Sequence, residues 1–146
     1  MLKLGKNVFE ENLNTRDSSL MFFKRNDEEP PRWSLDCNFF PGKYQDEMIA
    51  PSICINPIET TKSSYNELIG ERFLVSTIEE CDMREDSFYI FEHEPMIQYE
   101  IEIMDIQNQK AYVKCTGTAI VDGYAASLDT EKFSFECWLP IRICNR

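Results

Sequence analysis

Glycine is scarce in this chain, with 5 residues in 146, and histidine occurs once, at His93. So few glycines leave little room for a phosphate-cradling loop or a dinucleotide-binding turn, and neither G-x-S-x-G nor a P-loop pattern is present. A lone histidine excludes H-E-x-x-H and any multi-histidine metal centre. Positive charge is the minority sign: 15 Lys and Arg stand against 26 Asp and Glu, for a net charge of -11. That balance argues against nucleic acid, whose phosphates demand clustered cations, and equally against an anionic membrane surface. Long apolar runs are missing as well. Behind Lys3 and Lys6 come Asn7, Glu10, Glu11, Asn12 and Asn14 rather than an apolar stretch. Neither a secretory leader nor a transmembrane span is expected, which places the chain in the cytoplasm, where thiols stay reduced.

Six cysteines are present, at positions 37, 54, 81, 115, 137 and 144. None forms C-x-x-C, so neither a zinc knuckle nor a redox pair is signalled. Cys37, Cys115 and Cys137 fall on apolar-phase positions, and the cysteines read as buried free thiols acting as small hydrophobes.

The acid is concentrated. Residues 79–105 hold 10 acidic side chains and one basic one, Arg84, a local net of -9, whereas residues 1–78 carry -3 and residues 106–146 carry +1. Such asymmetry points to a partner more than to a fold.

The periodicity of the chain is two. In Ile97 to Asp105 the apolar positions are Ile97, Tyr99, Ile101 and Ile103; Ala111 to Val121 and Phe133 to Ile143 alternate in the same phase. Trp33, Leu35, Cys37 and Phe39 do likewise. Each run reads as a half-buried antiparallel strand. Weaker strands are expected at Leu20 to Lys24, Ser52 to Asn56, Arg72 to Thr77 and Ser87 to Phe91. Ser64-Tyr65-Asn66-Glu67 fits a capping box for a short helix ended by Gly70, and Val8 to Leu13 suits another short turn. Glu29-Pro30-Pro31, Pro41-Gly42, Asn56-Pro57, Asp122-Gly123 and Leu128-Asp129-Thr130 supply turn chemistry. The chain is therefore expected to be mainly β, a single domain over residues 1–146. Its sheet should be strongly bent and antiparallel, a barrel or sandwich of about seven to eight short strands, with one or two short helices.

The hairpin around Gln107-Asn108-Gln109 permits a parity argument. Both its strands bury odd-numbered residues, and directly opposed residues share a face, so paired numbers must sum to an even value. A plain two-residue turn gives an odd sum. The expected loop is odd, most simply three residues with Asn108 or Gln109 at positive φ. One allowed register pairs Glu102 with Lys114 and Met104 with Tyr112; the other pairs Glu100 with Lys114 and Glu102 with Tyr112.

Candidate chemistry is thin. Glu92-His93-Glu94 on a strand puts the two acids on one face and the histidine on the other, so a metal would need ligands from elsewhere. Glu79 to Asp86 lacks the glycine and oxygen-ligand spacing of an EF-hand loop. No catalytic residue, cofactor or metal site is identified. More suggestive are Tyr112 and Trp138, on the nominally wet side of their strands, with Glu100 and Glu102 on the wet side of theirs. Aromatic anchors beside steering charges are interface composition.

Two functions follow. The first is a non-catalytic protein-binding module presenting an acidic face to a basic partner, with Glu79, Glu80, Asp82, Glu85, Asp86, Glu100, Glu102, Tyr112 and Trp138 as the binding residues. A bacterial immunity protein or antitoxin, an inhibitor of a nuclease-type toxin, would be one instance. The alternative is a β-barrel or sandwich whose aromatics line an apolar pocket for a small ligand.

Overall fold

The strand pattern predicted by period-two alternation is what the computed structural model shows; it describes residues 1–14, 17–124 and 128–144. Among the described residues there are thirteen strands: β1 (Leu2–Leu4), β2 (Asn7–Phe9), β3 (Ser19–Phe23), β4 (Arg32–Asn38), β5 (Gly42–Tyr44), β6 (Glu47–Ile49), β7 (Ser52–Glu59), β8 (Arg72–Val75), β9 (Ser87–Tyr89), β10 (His93–Glu94), β11 (Gln98–Gln107), β12 (Lys110–Asp122) and β13 (Asp129–Cys144). A 3-10 turn (Tyr65–Leu68) precedes β8, and one helix, α1 (Ile78–Arg84), follows it. The strand count exceeds the expected seven to eight. The surplus lies in β1, β2, β5, β6 and β10, of two or three residues each, too short to display a period.

The strands form one curled sheet, a half-barrel, in the order β10-β9-β7-β4-β3-β13-β12-β11-β8. β1 also pairs with β13 and carries β2, while β5 and β6 form a separate hairpin. The long strand β13 joins the two halves of the sheet. Residues from Asp129 to Pro140 pair with β12, Phe133 to Phe135 also pair with β1, and Ile141 to Cys144 run beside β3. That last pairing is parallel, within a sheet whose other pairings are antiparallel, as expected. No hairpin joins β3 to β13, so turn geometry does not dictate their direction.

The curl brings the inner faces of the two halves together. Phe88 meets Phe133 at 4.7 Å between ring centroids, and Phe39 meets Phe135 at 5.8 Å. Trp33, Tyr99, Phe22, Phe39, Phe88 and Phe135 are fully buried, or within 2% of it. Each such side chain contributes about 1.5–3 kcal/mol through burial, so these rings, packed against each other, form the main core. All six cysteines are free, and Cys37, Cys81, Cys115 and Cys137 are buried as expected, whereas Cys54 and Cys144 are half-buried; burial pushes Cys115 up.

Three local expectations are corrected. Val8 to Leu13 is not a helical turn, because Asn7–Phe9 pairs with β1 across Gly5, whose φ of +58° closes the connection. Asn56-Pro57 does not end a strand. It sits inside β7 at a register shift between Trp33↔Ile58 and Leu35↔Ile55. Proline offers the ladder no N–H there, and Asn56 N is directed elsewhere. Ser64 makes no side-chain bond to the backbone of its turn; its hydroxyl instead donates to Glu67 Oε1 at 3.3 Å.

The hairpin resolves its parity problem differently from the expected odd loop. Its turn has two residues, Asn108 and Gln109, both at positive φ (51° and 57°). Glu102 pairs with Lys114 as in the first register, but Met104 drops out of the ladder as a bulge and Asp105, not Met104, faces Tyr112. The bulge supplies the odd residue. Tyr99, Ile101, Val113 and Cys115 point into the core, with Glu100, Glu102 and Lys114 on the opposite face.

Candidate functional site

The nine residues singled out in the sequence do not form one surface; they separate into three environments. The first is α1. Thr77 caps its N-terminus, its side chain accepting from Glu80 N at 3.2 Å, and the helix ends at Glu85 in the left-handed conformation with φ 60°. Cys81 faces inward and is buried, leaving Glu79, Glu80, Asp82 and Glu85 exposed. Acids in the first turn also favour the helix dipole. These residues read as a loop in the sequence, because seven residues are too few for a helical period to show. The Thr77-x-x-Glu80 pattern was the available signal.

Asp86 must be removed from the exposed acidic face. Its side chain is fully buried against Arg84, whose Nε donates to Oδ2 at 2.8 Å. Asn56 N donates to Oδ1 at 2.8 Å, and the Tyr99 hydroxyl donates to Oδ2. The left-handed residue at Glu85 turns the chain inward, so the next carboxylate enters the protein. Arg84 also donates to Asn56 O at 2.6 Å and lies over the Phe73 ring at 4.6 Å. The cluster ties α1 to β7 and β11. Burial first, then the Asp86 hydrogen bond, pushes the Tyr99 phenol well above its ordinary value.

After α1 and the buried Asp86 cluster, the third environment is the outer face of β8, β11, β12 and β13. There Glu100 is ion-paired with Arg72, and Glu102 lies opposite both Arg72 and Lys114. Lys114 Nζ approaches Glu136 at 3.9 Å, while the Tyr112 hydroxyl donates to Glu136 Oε2 at 2.6 Å. Tyr112 and Trp138 are cross-strand neighbours with ring centroids 5.2 Å apart, each half-buried. Aromatics and acids do share this face, but its acids are balanced by bases.

The unbalanced acid lies elsewhere, in a cleft of about 350 Å³ that the sequence reading did not assemble. Glu47 reaches it from the β5–β6 hairpin, Glu92 and Glu94 from the β9–β10 hairpin, and Asp122 and Asp129 from the facing ends of β12 and β13. Among the described residues that line it, none is Lys or Arg. Tyr124 stands at the cleft 83% exposed, and the Glu92 carboxylate, first through its charge and then through a hydrogen bond, raises that phenol. Asp122 Oδ1 accepts from Tyr124 N at 2.8 Å and fixes the turn. At Gly123 a Cβ would lie 2.2 Å from Glu94 Oε2, so only glycine lets that carboxylate rest against the backbone.

Below, Phe91 packs on Tyr44 at 6.2 Å, and Tyr44 donates to Glu131 Oε1 at 3.4 Å. Burial and the Glu131 charge push Tyr44 up to about 12. The alternation expected for Glu92-His93-Glu94 holds: both acids line the cleft, whereas His93 packs on Tyr89 at 4.8 Å. Among the described residues no group of three or more His, Cys, Asp or Glu is placed to hold a metal ion.

The cleft's carboxylates come from three separate loops, so no single motif announces them; Glu92 and Glu94 alone fall in the acidic stretch. Chemically, such a cleft can attract and orient a cationic side chain between carboxylates and the rings of Tyr124 and Phe91. Comparison of the chain with protein-family models, with curated proteins and with solved structures finds no match.

Proposed function

We propose that this chain is a non-catalytic protein-binding module that receives a basic protein partner on its acidic surface. The carrying observation is the convergence of five carboxylates on one open cleft that has an exposed tyrosine and no cation in its lining. The exposed acids of α1 add to the field that a basic partner meets. Carboxylates raise encounter rates by about 10 to 10³ through steering, and can occupy the sites where a nucleic-acid-binding partner holds phosphates. An inhibitor, immunity protein or antitoxin that neutralises a nuclease-type toxin is one form of this function.

Steering gives a kinetic test. A partner captured at low salt should be lost at high salt. Reversing Glu47, Glu92 and Asp129 together to Lys should lower its on-rate by about tenfold or more at low salt, with the gap shrinking as salt is added. All three side chains lie outside the core, so the far-UV spectrum and the melting temperature report that the variant is folded. A folded variant that associates as fast as the parent overturns the proposal.

A further inference from the structure

The outer face of the six strands β8, β11, β12, β13, β1 and β2 differs in kind from the acidic surface described above. Its residues align in rows across the sheet. One row runs Leu74, Glu100, Thr116, Ser134, Lys3 and Val8. The next runs Arg72, Glu102, Lys114 and Glu136, and a third sets Tyr112 beside Trp138 with Asp105 opposite. Lys132 lies beside Thr118 in a fourth. Lys110 lies beside Pro140 and Gln107 in a fifth. Lys3, Arg72, Lys110, Lys114 and Lys132 thus face the same field as Glu100, Glu102, Asp105 and Glu136. In a chain of net charge -11 this field lacks the acidic excess. Large apolar side chains stand in it: Leu74 is 57% exposed, Val8 52% and Met104 44%.

We infer that this face is a self-association surface, on which a second copy of the chain docks. Charge decides the occupant. Two copies meeting through α1 or the cleft repel each other, whereas a field with both signs interspersed and no acidic excess does not, and its alternating bases and acids can face their opposites in a twofold image. Extent is sufficient for a weak dimer. Three strands used over about six to seven residues, with β8 of four and β1 and β2 of three, spaced about 4.8 Å apart at about 3.4 Å per residue, give roughly 500 Å² per copy, or about 1,000 Å² in all, the low end for a specific contact. Tyr112, packed on the Trp138 ring and hydrogen-bonded to Glu136, would meet the partner copy with little loss of side-chain freedom. The inference stands on a different surface from the proposed partner site and does not require it.

The dimer should respond to salt in the opposite sense to partner binding. Raising salt from about 0.01 to about 0.15 M shortens the Debye length from about 30 to about 8 Å and screens the repulsion between two acidic bodies. Sedimentation velocity at about 0.15 M salt should show the mass rising from one chain of 17.2 kDa toward two as concentration increases from ~1 µM to ~1 mM, with less dimer at ~0.01 M. Leu74→Lys combined with Lys114→Glu, both exposed positions, should leave one-chain mass over the same range at ~0.15 M. Amine-to-carboxyl crosslinking of a mixture of isotopically light and heavy protein gives a readout that needs no variant. Light-to-heavy links should join Lys3, Lys114 or Lys132 to acids of this face. One-chain mass up to ~1 mM at ~0.15 M salt overturns the inference, as does a dimer indifferent to the double substitution or linked only through other surfaces.

Discussion

At the residue scale the decisive distinction is between Asp86 and its acidic neighbours. Glu79, Glu80, Asp82 and Glu85 are exposed, and each contributes little to stability. Asp86 accepts from Arg84, Asn56 N and Tyr99 in a buried site. Asp86→Ala should lose about 3–5 kcal/mol in urea unfolding, because it removes the counter-charge of Arg84 and leaves Arg84 Nε, Asn56 N and a phenol without their acceptor. A loss below about 1 kcal/mol would show that the cluster is dispensable. The phenols offer a second test. Tyr44 is raised to about 12, and Tyr99 is raised too, so the fold favours their protonated forms. Their contribution is complete below the unfolded value of about 10 and is lost as pH rises through the folded values. A tyrosinate absorbance titration should show Tyr44 and Tyr99 lagging above about pH 11 and ionising together with unfolding, whereas the exposed Tyr124, also raised, should titrate without it. In the sequence, Asp86 is one acid among ten. Its burial depends on Glu85 adopting a left-handed conformation, which no composition or spacing reveals.

At the scale of elements, alternation was a reliable guide wherever a strand was long. β4, β11, β12 and β13 bury the residues that their period marks, apart from Ile143, which is exposed, and one of the two registers allowed by the even-sum rule sets Glu102 against Lys114 as observed. The rule states that an odd residue must be absorbed, but it does not say where. The bulge at Met104 and a three-residue loop satisfy it equally. That ambiguity yields a sharp prediction. Without Met104, Ile103, Asp105 and Ile106 would pair in unbroken alternation with Val113, Tyr112 and Ala111. Deleting Met104 should therefore retain the fold at a cost within about 1 kcal/mol, read from thermal unfolding. Deleting Ile101 instead would displace every core residue on one side of the gap and should prevent folding. A Met104 deletion that unfolds the protein would show that the bulge is needed for more than register. The helix was legible only through its cap at Thr77, and the parallel β3–β13 pair through nothing local.

At the scale of the whole molecule, fold and charge distribution are read with different success. The curled, mainly β sheet follows from strand patterns present in the sequence. The acidic cleft does not, since Glu47, Glu92, Glu94, Asp122 and Asp129 converge only when three hairpin ends are brought together. Net charge is nonetheless a property of the whole, and -11 on one chain opposes its own compaction. Salt should raise the melting temperature between about 0.01 and about 0.15 M, and the triple reversal at Glu47, Glu92 and Asp129 should flatten that dependence while leaving the core intact. A melting temperature independent of salt would mean that the local ion pairs, such as Arg72–Glu100 and Lys114–Glu136, offset the excess acid.

The position of β13 as the shared neighbour of β12, β1 and β3 bears on how the chain is made. On the ribosome β1 and β3 emerge early, yet both wait for a partner strand that follows all the others. Leu20 and its parallel partner Ile141 are 121 residues apart. At about 5–20 residues per second, that interval lasts roughly 6–24 s. During it Leu2, Leu4, Leu20 and Phe22, which end as core, have no β13 to cover them. Vectorial synthesis therefore builds most of this sheet before the strand that holds it together exists, and the nascent chain depends on that delay being survived.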